Sequence, residues 1–567
     1  MSGKTKTTAG AAIFQRLKAL GVEYVFANSG TDFPPIIEGL VRAQRDGIAL
    51  PEAVTIPHEH VAMGMAHGHW LISGKPQAVM LHTNVGLANG AIGAINAACE
   101  HVPMLLMSGR TPVTEHTRFG ARTVPIGWGQ EMRDQTALVR EASKWDYELR
   151  FPEQIGEVLD RGWAIAESTP KGPIYLSLPR EVLCETIKAD LDQPPAMTPV
   201  NGSPTDDAIA TAAKWLAEAR HPLVIAQRGA GDEEIFAQFA DWADKWAIPV
   251  CSWWATRLAI STEHPMHVGP DPKSWLAEAD CVLVLDCLAP WWPDKHPVNP
   301  DAKIIHAGPD PLFSRFPIRN FRSDLSLAGE SNLLLPRLFS AMEALPHDAE
   351  ALSDRRQNII AKSQENRSKA RQSAQDSAVG GITKAYLSLK LGEMLQGLRS
   401  SVFSELGAQL GVLKCTDYQS WFQEPHSGGL GWSVPAAMGA RLADPERLCV
   451  AVCGDGSYMF ANPTACHLVA EAIGIPFLTV IANNAEWGAV RASVEGLYPE
   501  GSAAKANRMP LTALSPSPDF TLTAQASRAY AKQVTDPATL EAELAEAIRV
   551  VTEERRQALL DVRVLPD

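Results

Sequence analysis

The residues best suited to chemistry lie late in the chain, where the apolar run 448–453 leads into Gly454-Asp455-Gly456-Ser457. Such a run reads as a buried parallel strand, and open parallel sheets take ligands at the carboxyl ends of their strands. The glycines flanking Asp455 let the backbone turn sharply and approach a ligand closely. A helix is expected next, and the free N–H groups of its first turn suit a phosphate. A second strand, 477–481, then ends in Asn483-Asn484-Ala485-Glu486. One carboxylate, one amide oxygen and free main-chain carbonyls at neighbouring strand ends are hard oxygen donors. They suit Mg²⁺ or Ca²⁺ bridging to a diphosphate.

Other segments could join them. Ser427-Gly428-Gly429-Leu430-Gly431 is a glycine loop ahead of a helix, and Pro57-His58-Glu59-His60 places a carboxylate at a helix start. Capping that helix is the alternative role for Glu59. His58, His60, His67 and His69 surround it without HExxH spacing, so zinc is not expected. His82-Thr83-Asn84 follows the buried strand 78–81, where an imidazole could protonate or orient a developing oxyanion.

The elements that must position these groups alternate as short strands and helices, the pattern of α/β domains with parallel sheets. Three consecutive α/β blocks are expected. The first, 1–190, has strands at 24–27, 78–81, 104–107 and 174–178, and a proline-rich stretch at 193–204 follows it. A middle block, 191–345, has strands at 223–226, 250–251, 282–285 and 303–305. The polar segment 346–380 reads as a solvated helix or linker, with a binding patch as the alternative, and the last block, 381–567, has strands at 402–403, 448–453, 477–481 and 559–564. The first and third blocks share a pattern that could make them structural relatives.

The Gly-Asp-Gly segment followed by Asn-Asn resembles the thiamine-diphosphate-binding motif. The chain is identified as a member of the thiamine-diphosphate-dependent enzymes, in the decarboxylase and acetolactate synthase branch, with most resemblance to benzoylformate decarboxylases. That resemblance covers nearly the whole chain and implies pyrimidine-binding, middle and diphosphate-binding domains in that order. It implies that Asp455, Asn484 and the main chain of Glu486 hold the metal, and that Gly456 and Ser457 face the diphosphate. The 427–439 segment is similar to the family's GGLG–PAA–G stretch. Leu430 would then wedge beneath the cofactor, and the Gly428 carbonyl would accept from its 4′-amino group. Glu59 takes the place of the glutamate beside the pyrimidine, whose proton shuttling lets the cofactor act as its own base.

On the substrate side, His82, in the segment 81–90 that also carries the pocket candidate Asn84, matches the histidine of a loop in benzoylformate decarboxylases and acetolactate synthases. Thr31, in Asn28-Ser29-Gly30-Thr31, falls where that enzyme has a substrate-contacting serine. Gln130, in Gly129-Gln130-Glu131, resembles the glutamine of the acetolactate synthase FQE motif; Gly129 replaces the phenylalanine, so part of that wall is missing or comes from Trp128. Trp487-Gly488-Ala489 resembles a pocket-lining stretch. The resemblance implies non-oxidative decarboxylation of a 2-oxo acid to an aldehyde, with carboligation to 2-hydroxy ketones using an aldehyde acceptor. The alternatives are an acetolactate-synthase-like carboligase and a catalytically silent paralogue that only binds. A homodimer or homotetramer with shared active sites is implied. FAD is not expected, because Asp286–Pro293 stands where acetolactate synthases carry their glycine-rich acidic segment. Glu405-Leu406-Gly407-Ala408-Gln409 lacks the hydroxyl residues that benzoylformate decarboxylases place on the diphosphate.

Composition fits. The chain has 567 residues, 46% hydrophobic and 20% charged, with a net charge of −14. That charge argues against general nucleic-acid binding, which needs a basic footprint. No apolar run approaches the ~18 residues of a membrane helix. No signal peptide is expected at the N-terminus. The nine cysteines form no CxxC pair and read as buried free thiols, which fits a reducing cytoplasm. Fifteen tryptophans are many for such a chain. Trp128, Trp291, Trp292 and Trp487 fall on or beside segments that line the site in relatives, whereas Trp215, Trp242 and Trp246 read as core. His296 follows the same strand end as Trp292. An aromatic or otherwise large substrate would use such a surface.

Overall fold

The computed structural model describes residues 6–188, 191, 193–506 and 508–566. The expectation of no signal peptide at residues 1–5, and the domain boundary at residue 190, lie outside them.

Three parallel sheets form, and each expected run lies in one of them beside edge strands that were not expected. The first contains β1 (Tyr24–Ala27), β2 (Glu52–Thr55), β3 (Ala78–Leu81), β4 (Leu105–Arg110), β5 (Asp146–Glu148) and β6 (Ile174–Pro179), in the order β2-β1-β3-β4-β6-β5. A short antiparallel ribbon joins Lys6–Thr8 to Thr186–Lys188. Helix α1 (Glu59–Ser73) follows β2, and α2 (Thr83–Cys99) follows β3.

The middle sheet contains β7 (Pro222–Ala226), β8 (Val250–Cys251), β9 (Cys281–Leu285), β10 (Lys303–Gly308) and β11 (Leu325–Ala328), ordered β8-β7-β9-β10-β11. The long helix α3 (Ala349–Asp376) follows. The third sheet contains β12 (Ser400–Glu405), β13 (Trp421–Gln423), β14 (Leu448–Gly454), β15 (Leu478–Asn483), β16 (Tyr530–Val534) and β17 (Ala558–Arg563), ordered β13-β12-β14-β15-β17-β16. Helix α4 (Ser433–Ala443) precedes β14, and α5 (Asp455–Phe460) follows it. The first and third sheets share one strand order. In each sheet the order of successive strands reverses beside the first strand, and ligands bind outside the carboxyl ends at such a switch point.

The chain divides into two compact units. One comprises residues 1–200, 425–445 and 461–475, and the other 201–424, 446–460 and 476–567. The first unit therefore holds the first sheet together with α4. Its core includes Phe14, Met80, Met107 and Leu176. In the second unit, the middle core gathers Phe239, Trp242 and Trp246, with Trp242 stacked on Phe339 at 5.2 Å. Trp291 also belongs to this core and meets Phe321 edge-on. Trp215 is half-buried against it, beneath Lys303. All nine cysteines are free, and all but Cys184 are buried.

The polar segment before the third block is a helix, but its arginines are not a solvated face. Arg355 donates to the carbonyls of Ala219, Arg220, Trp246 and Ala247. Arg367 reaches the carbonyls of Thr262, His264 and His267, and Arg371 pairs with Glu263. The helix is a strap across the middle domain, fastened through main-chain acceptors.

Helices α1 and α4 cross within the first unit at backbone contact. A methyl group on Gly68 or Gly439 would overlap the other helix's main chain at Ala436 or Met65. Gly68→Val should therefore cost about 3 kcal/mol or more, because overpacking forces backbone shifts. Gly496→Ala, a helical glycine with nothing within reach of a new methyl, should leave the thermal midpoint unchanged or raised. Equal midpoints for the two variants would refute this account of the crossing.

Candidate active site

The first unit carries one cluster at the switch point between β1 and β3. Glu59 is the first residue of α1 and is buried. Its Oε2 accepts from Asn89 Nδ2 of α2 at 3.1 Å. Gly86, one turn earlier on α2, leaves room for the carboxylate, since a methyl there would lie 2.9 Å from Oε1. The helix cap is a different residue: the His58 ring nitrogen Nδ1 accepts from the His60 N–H at 3.2 Å. His69 bonds Ser73 and faces Glu23, and His67 lies against the edge of Trp432. The four histidines thus go separate ways. Burial holds the His60 imidazole below its ordinary pKa and brings that of His69 to about 4.

His82 stands between β3 and α2 with its ring half-buried and not used as a helix cap. Its Nδ1 lies 2.6 Å from Asp32 Oδ1, and its Nε2 lies 3.4 Å from Gln130 Nε2. The Asp32 hydrogen bond raises the His82 pKa, against partial desolvation, and the charges of Asp32 and Glu59 add to the rise. Thr83 follows in a left-handed conformation, φ 46°, unusual for a β-branched residue and costing roughly 1–3 kcal/mol. Among the described residues Thr83 Oγ1 and Asn84 Oδ1 are buried without a hydrogen-bond partner. Orphaned polar atoms of this kind suit a bound group.

Thr31 is exposed on the turn after β1, its carbonyl accepting from Arg180. Trp128 is 44% exposed and donates to Glu115, with the Arg122 guanidinium 5.5 Å from its ring. Glu131, beside Gln130, pairs with Arg110 and Arg122 and so anchors that loop. The glycine loop sits on α2: Asn96 Nδ2 donates to the Gly429 carbonyl at 2.9 Å, and Ser427 Oγ bonds Asn96 Oδ1. Gly428 is left-handed, φ 68°, a conformation that favours glycine, and Leu430 is half-buried.

The second unit carries the other cluster, at the switch point between β12 and β14. Asp455 is the first residue of α5 and is 2% exposed. Burial pushes its carboxyl up to about 6, against hydrogen bonds from the main-chain N–H groups of Gly456 and of Asp455 itself and the charge of Arg563, while Asp561 adds to the rise. It forms no ion pair among the described residues. Gly456 and Ser457 follow in the first turn, both buried. The turn after β12 supports this end, because Leu406 bridges Cys453 and a methyl on Gly407 would meet the Val452–Cys453 backbone.

The Asn-Asn turn is braced from β17. Asn483 Nδ2 donates to the buried Asp561 at 2.8 Å, and its Oδ1 accepts from Ala485 N. Asn484 Oδ1 accepts from Glu486 N at 3.1 Å, and the Glu486 side chain is held by Arg491. The Trp487 indole lies over Gly456, where a methyl would overlap it, so two expected site residues touch. Ala489 is exposed on the helix after it. A buried carboxylate without a cation, an amide oxygen and a helix N-terminus form a donor set that fits a hard divalent cation and a diphosphate.

Trp292 and His296, with Lys295 between them, line a cavity of about 890 Å³ in the second unit that also reaches Trp253, Trp254, Trp275 and Leu406. Sequence reasoning missed Asp32, Asn89 and Asp561. Asp32 carried one weak signal, an acid immediately after a turn already singled out.

Models of one family match the chain three times in order. The thiamine pyrophosphate enzyme N-terminal TPP binding domain matches residues 7–138, the central domain 209–338, and the C-terminal TPP binding domain 404–562. The chain belongs to the thiamine pyrophosphate enzyme family. Glu59 and His82 fall inside the N-terminal TPP binding domain, and Asp455 and Asn484 inside the C-terminal one. One relative in the family is a Pseudomonas aeruginosa protein described as a probable 2-ketoarginine decarboxylase. It is 27% identical, over 96% of this chain and 92% of the relative. An acetolactate synthase large subunit of Haemophilus influenzae is 24% identical, over 95% and 91%. Among solved structures, the Rhodococcus jostii RHA1 thiamine diphosphate-dependent 4-hydroxybenzoylformate decarboxylase superposes with a TM-score of 0.76 at 21% identity, covering 99% of this chain and all of that one. That structure shares the fold. No helix among the described residues is long and apolar enough to cross a membrane.

Proposed function

We propose that the protein is a thiamine-diphosphate- and Mg²⁺-dependent 2-oxo-acid decarboxylase that releases an aldehyde. The observation that carries this reading is the His82 imidazole, held at a strand end beside Glu59 by a carboxylate that favours its protonated form. Loss of CO₂ from a 2-oxo acid to give an aldehyde consumes one proton, and a positioned imidazolium can supply it. The bound cofactor supplies the electron sink that decarboxylation needs.

In this reading Glu59 exchanges a proton with the cofactor's pyrimidine, Leu430 supports the cofactor, and Gly428 offers its carbonyl. Asp455, Asn484 and the Glu486 carbonyl hold the cation, while Gly456 and Ser457 bind the diphosphate. Thr31, His82, Asn84 and Gln130 face the substrate, with Trp128, Trp487 and Ala489 as further lining. The pyrimidine-binding domain spans 1–190, the middle domain 191–345, the linker 346–380 and the diphosphate-binding domain 381–567. The enzyme acts as a homodimer or homotetramer in the cytoplasm. Trp128 and Trp487 among that lining favour a substrate with a large or aromatic distal group. Carboligation is the second reading, favoured by Gln130 beside His82, a residue type with which acetolactate synthases meet the bound intermediate.

The test is incubation with Mg²⁺, thiamine diphosphate and a panel of aromatic, aliphatic and guanidino 2-oxo acids, resolving aldehyde from acyloin. Aldehyde and CO₂ are the expected products. Release of CO₂ no greater than from Glu59→Ala, for every acid in the panel, would sink the decarboxylase reading.

A further inference from the structure

We propose that Asp32 is a positioning residue for this reaction: its buried carboxylate fixes the tautomer and the orientation of His82, so that Nε2 is the ring nitrogen offered to the substrate. The proposal rests on the role given to His82 above.

The geometry is built for this one contact. Asp32 is 3% exposed, and among the described residues His82 is the only hydrogen-bond partner of its side chain. Its second oxygen, Oδ2, is buried and unpartnered. A buried carboxylate with one bond is expensive to keep, so a merely structural strut is a poor explanation. Asp32 neither caps a helix nor ties down its own loop.

Two glycines make the space. A methyl on Gly109, in β4, would overlap the Asp32 carboxylate, and a methyl on Gly30 would overlap the His82 ring. Neither glycine has a left-handed φ, so the room they leave is their contribution. The left-handed Thr83 adds a third local cost at the same place.

The chemistry follows from the 2.6 Å contact. A carboxylate accepts only, so Nδ1 must carry a proton in both charge states of the ring. When His82 is neutral, Nε2 has a lone pair and accepts from the Gln130 amide N–H. When His82 is charged, Nε2–H donates, and Gln130 must turn its Oε1 toward it. Gln130 therefore reports the charge on His82. The charged groups acting on His82 are Asp32, from the turn after β1, and Glu59, at the start of α1; both are acidic and both favour the imidazolium.

The test measures the titration of His82 in the full-length, cofactor-free protein by mass spectrometry of imidazole C2–H exchange. The His82 midpoint in the unaltered protein should lie above that of an ordinary histidine. In Asp32→Asn it should fall, while His69 stays where it is. With cofactor and substrate, kcat/KM of Asp32→Asn should drop by about tenfold to a hundredfold. Its alkaline limb should also move to lower pH, because the imidazolium is lost earlier as pH rises. Asp32→Glu should recover part of the loss.

An ordinary or low His82 midpoint in the unaltered protein overturns the proposal without any variant. So does a fallen midpoint in Asp32→Asn with an unchanged pH profile. If His82→Ala keeps full activity, the reading of His82 itself fails. If His82→Ala is inactive while Asp32→Asn matches the unaltered enzyme, only the role of Asp32 is lost.

Discussion

Glu59→Gln should abolish most turnover while leaving the fold intact. The side chains are isosteric, and the Asn89 amide that donates to Glu59 Oε2 can donate equally to a glutamine oxygen. The cap of α1 is also untouched, because His58 provides it. What the variant loses is a carboxylate able to take and return a proton. General acid–base assistance of this kind is worth roughly 10²- to 10⁴-fold, so kcat should fall by about a thousandfold. Cofactor affinity should change far less, and the thermal midpoint of the cofactor-free protein should stay within a degree or two, as expected for a change of a few tenths of a kcal/mol. Exchange of the cofactor's C2 proton, followed by rapid acid quench, isolates the step. A variant that exchanges that proton at the unaltered rate would remove Glu59 from the proposed proton shuttle. One that unfolds would instead return Glu59 to the structural role that its place at a helix start suggests.

The division between what the sequence disclosed and what it withheld has a physical basis. Interior strands were legible because both faces are buried and the residues run continuously apolar: the run at 78–81 is β3, and the run at 448–453 is β14 with one residue added. Five strands of these sheets were not foreseen, Glu52–Thr55, Asp146–Glu148, Leu325–Ala328, Trp421–Gln423 and Tyr530–Val534, and all five lie at sheet edges. Glu52–Thr55 buries only Val54, so no apolar run marks it. The Gly-Asp-Gly turn and the Asn-Asn turn were legible because tight turns and ligand-facing groups constrain residue type locally. Asp32 was not, because its partner lies on another strand end. The pairing exists only once the sheet order sets β1 beside β3. The arginines of α3 misled for a related reason. Their acceptors are main-chain carbonyls, which leave no trace in residue identity, so a fastened strap looks like a solvated helix.

Asp455→Asn should reverse its sign between the empty and the loaded protein. In the empty protein the Asp455 carboxylate is buried without a cation, and burial raises its pKa to about 6. A carboxyl whose folded-state pKa lies above its unfolded value is held more comfortably protonated. The ionised form therefore weakens the fold, increasingly as pH rises from near 4 through 6. The neutral amide removes that penalty. At pH 7–8 the cofactor-free variant should match or exceed the unaltered protein, by about 1 kcal/mol once solvent screening is allowed for. With Mg²⁺ and thiamine diphosphate the order should invert. A ligand present at a hundred times its Kd stabilises by about 2.7 kcal/mol, and this upward shift should be largely lost when the anionic oxygen donor is gone. Two thermal scans of each protein, with and without cation and cofactor, read both halves. If the variant gains the full ligand-induced shift, Asp455 does not hold the cation, and the diphosphate must be anchored elsewhere. If it is less stable than the unaltered protein even when empty, the carboxylate is a structural acceptor for the main-chain N–H groups of its own turn. Crossing of the two orders is the outcome that a buried metal ligand, only partly compensated by its main-chain hydrogen bonds, demands, and neither a surface acid nor a satisfied core acid would produce it.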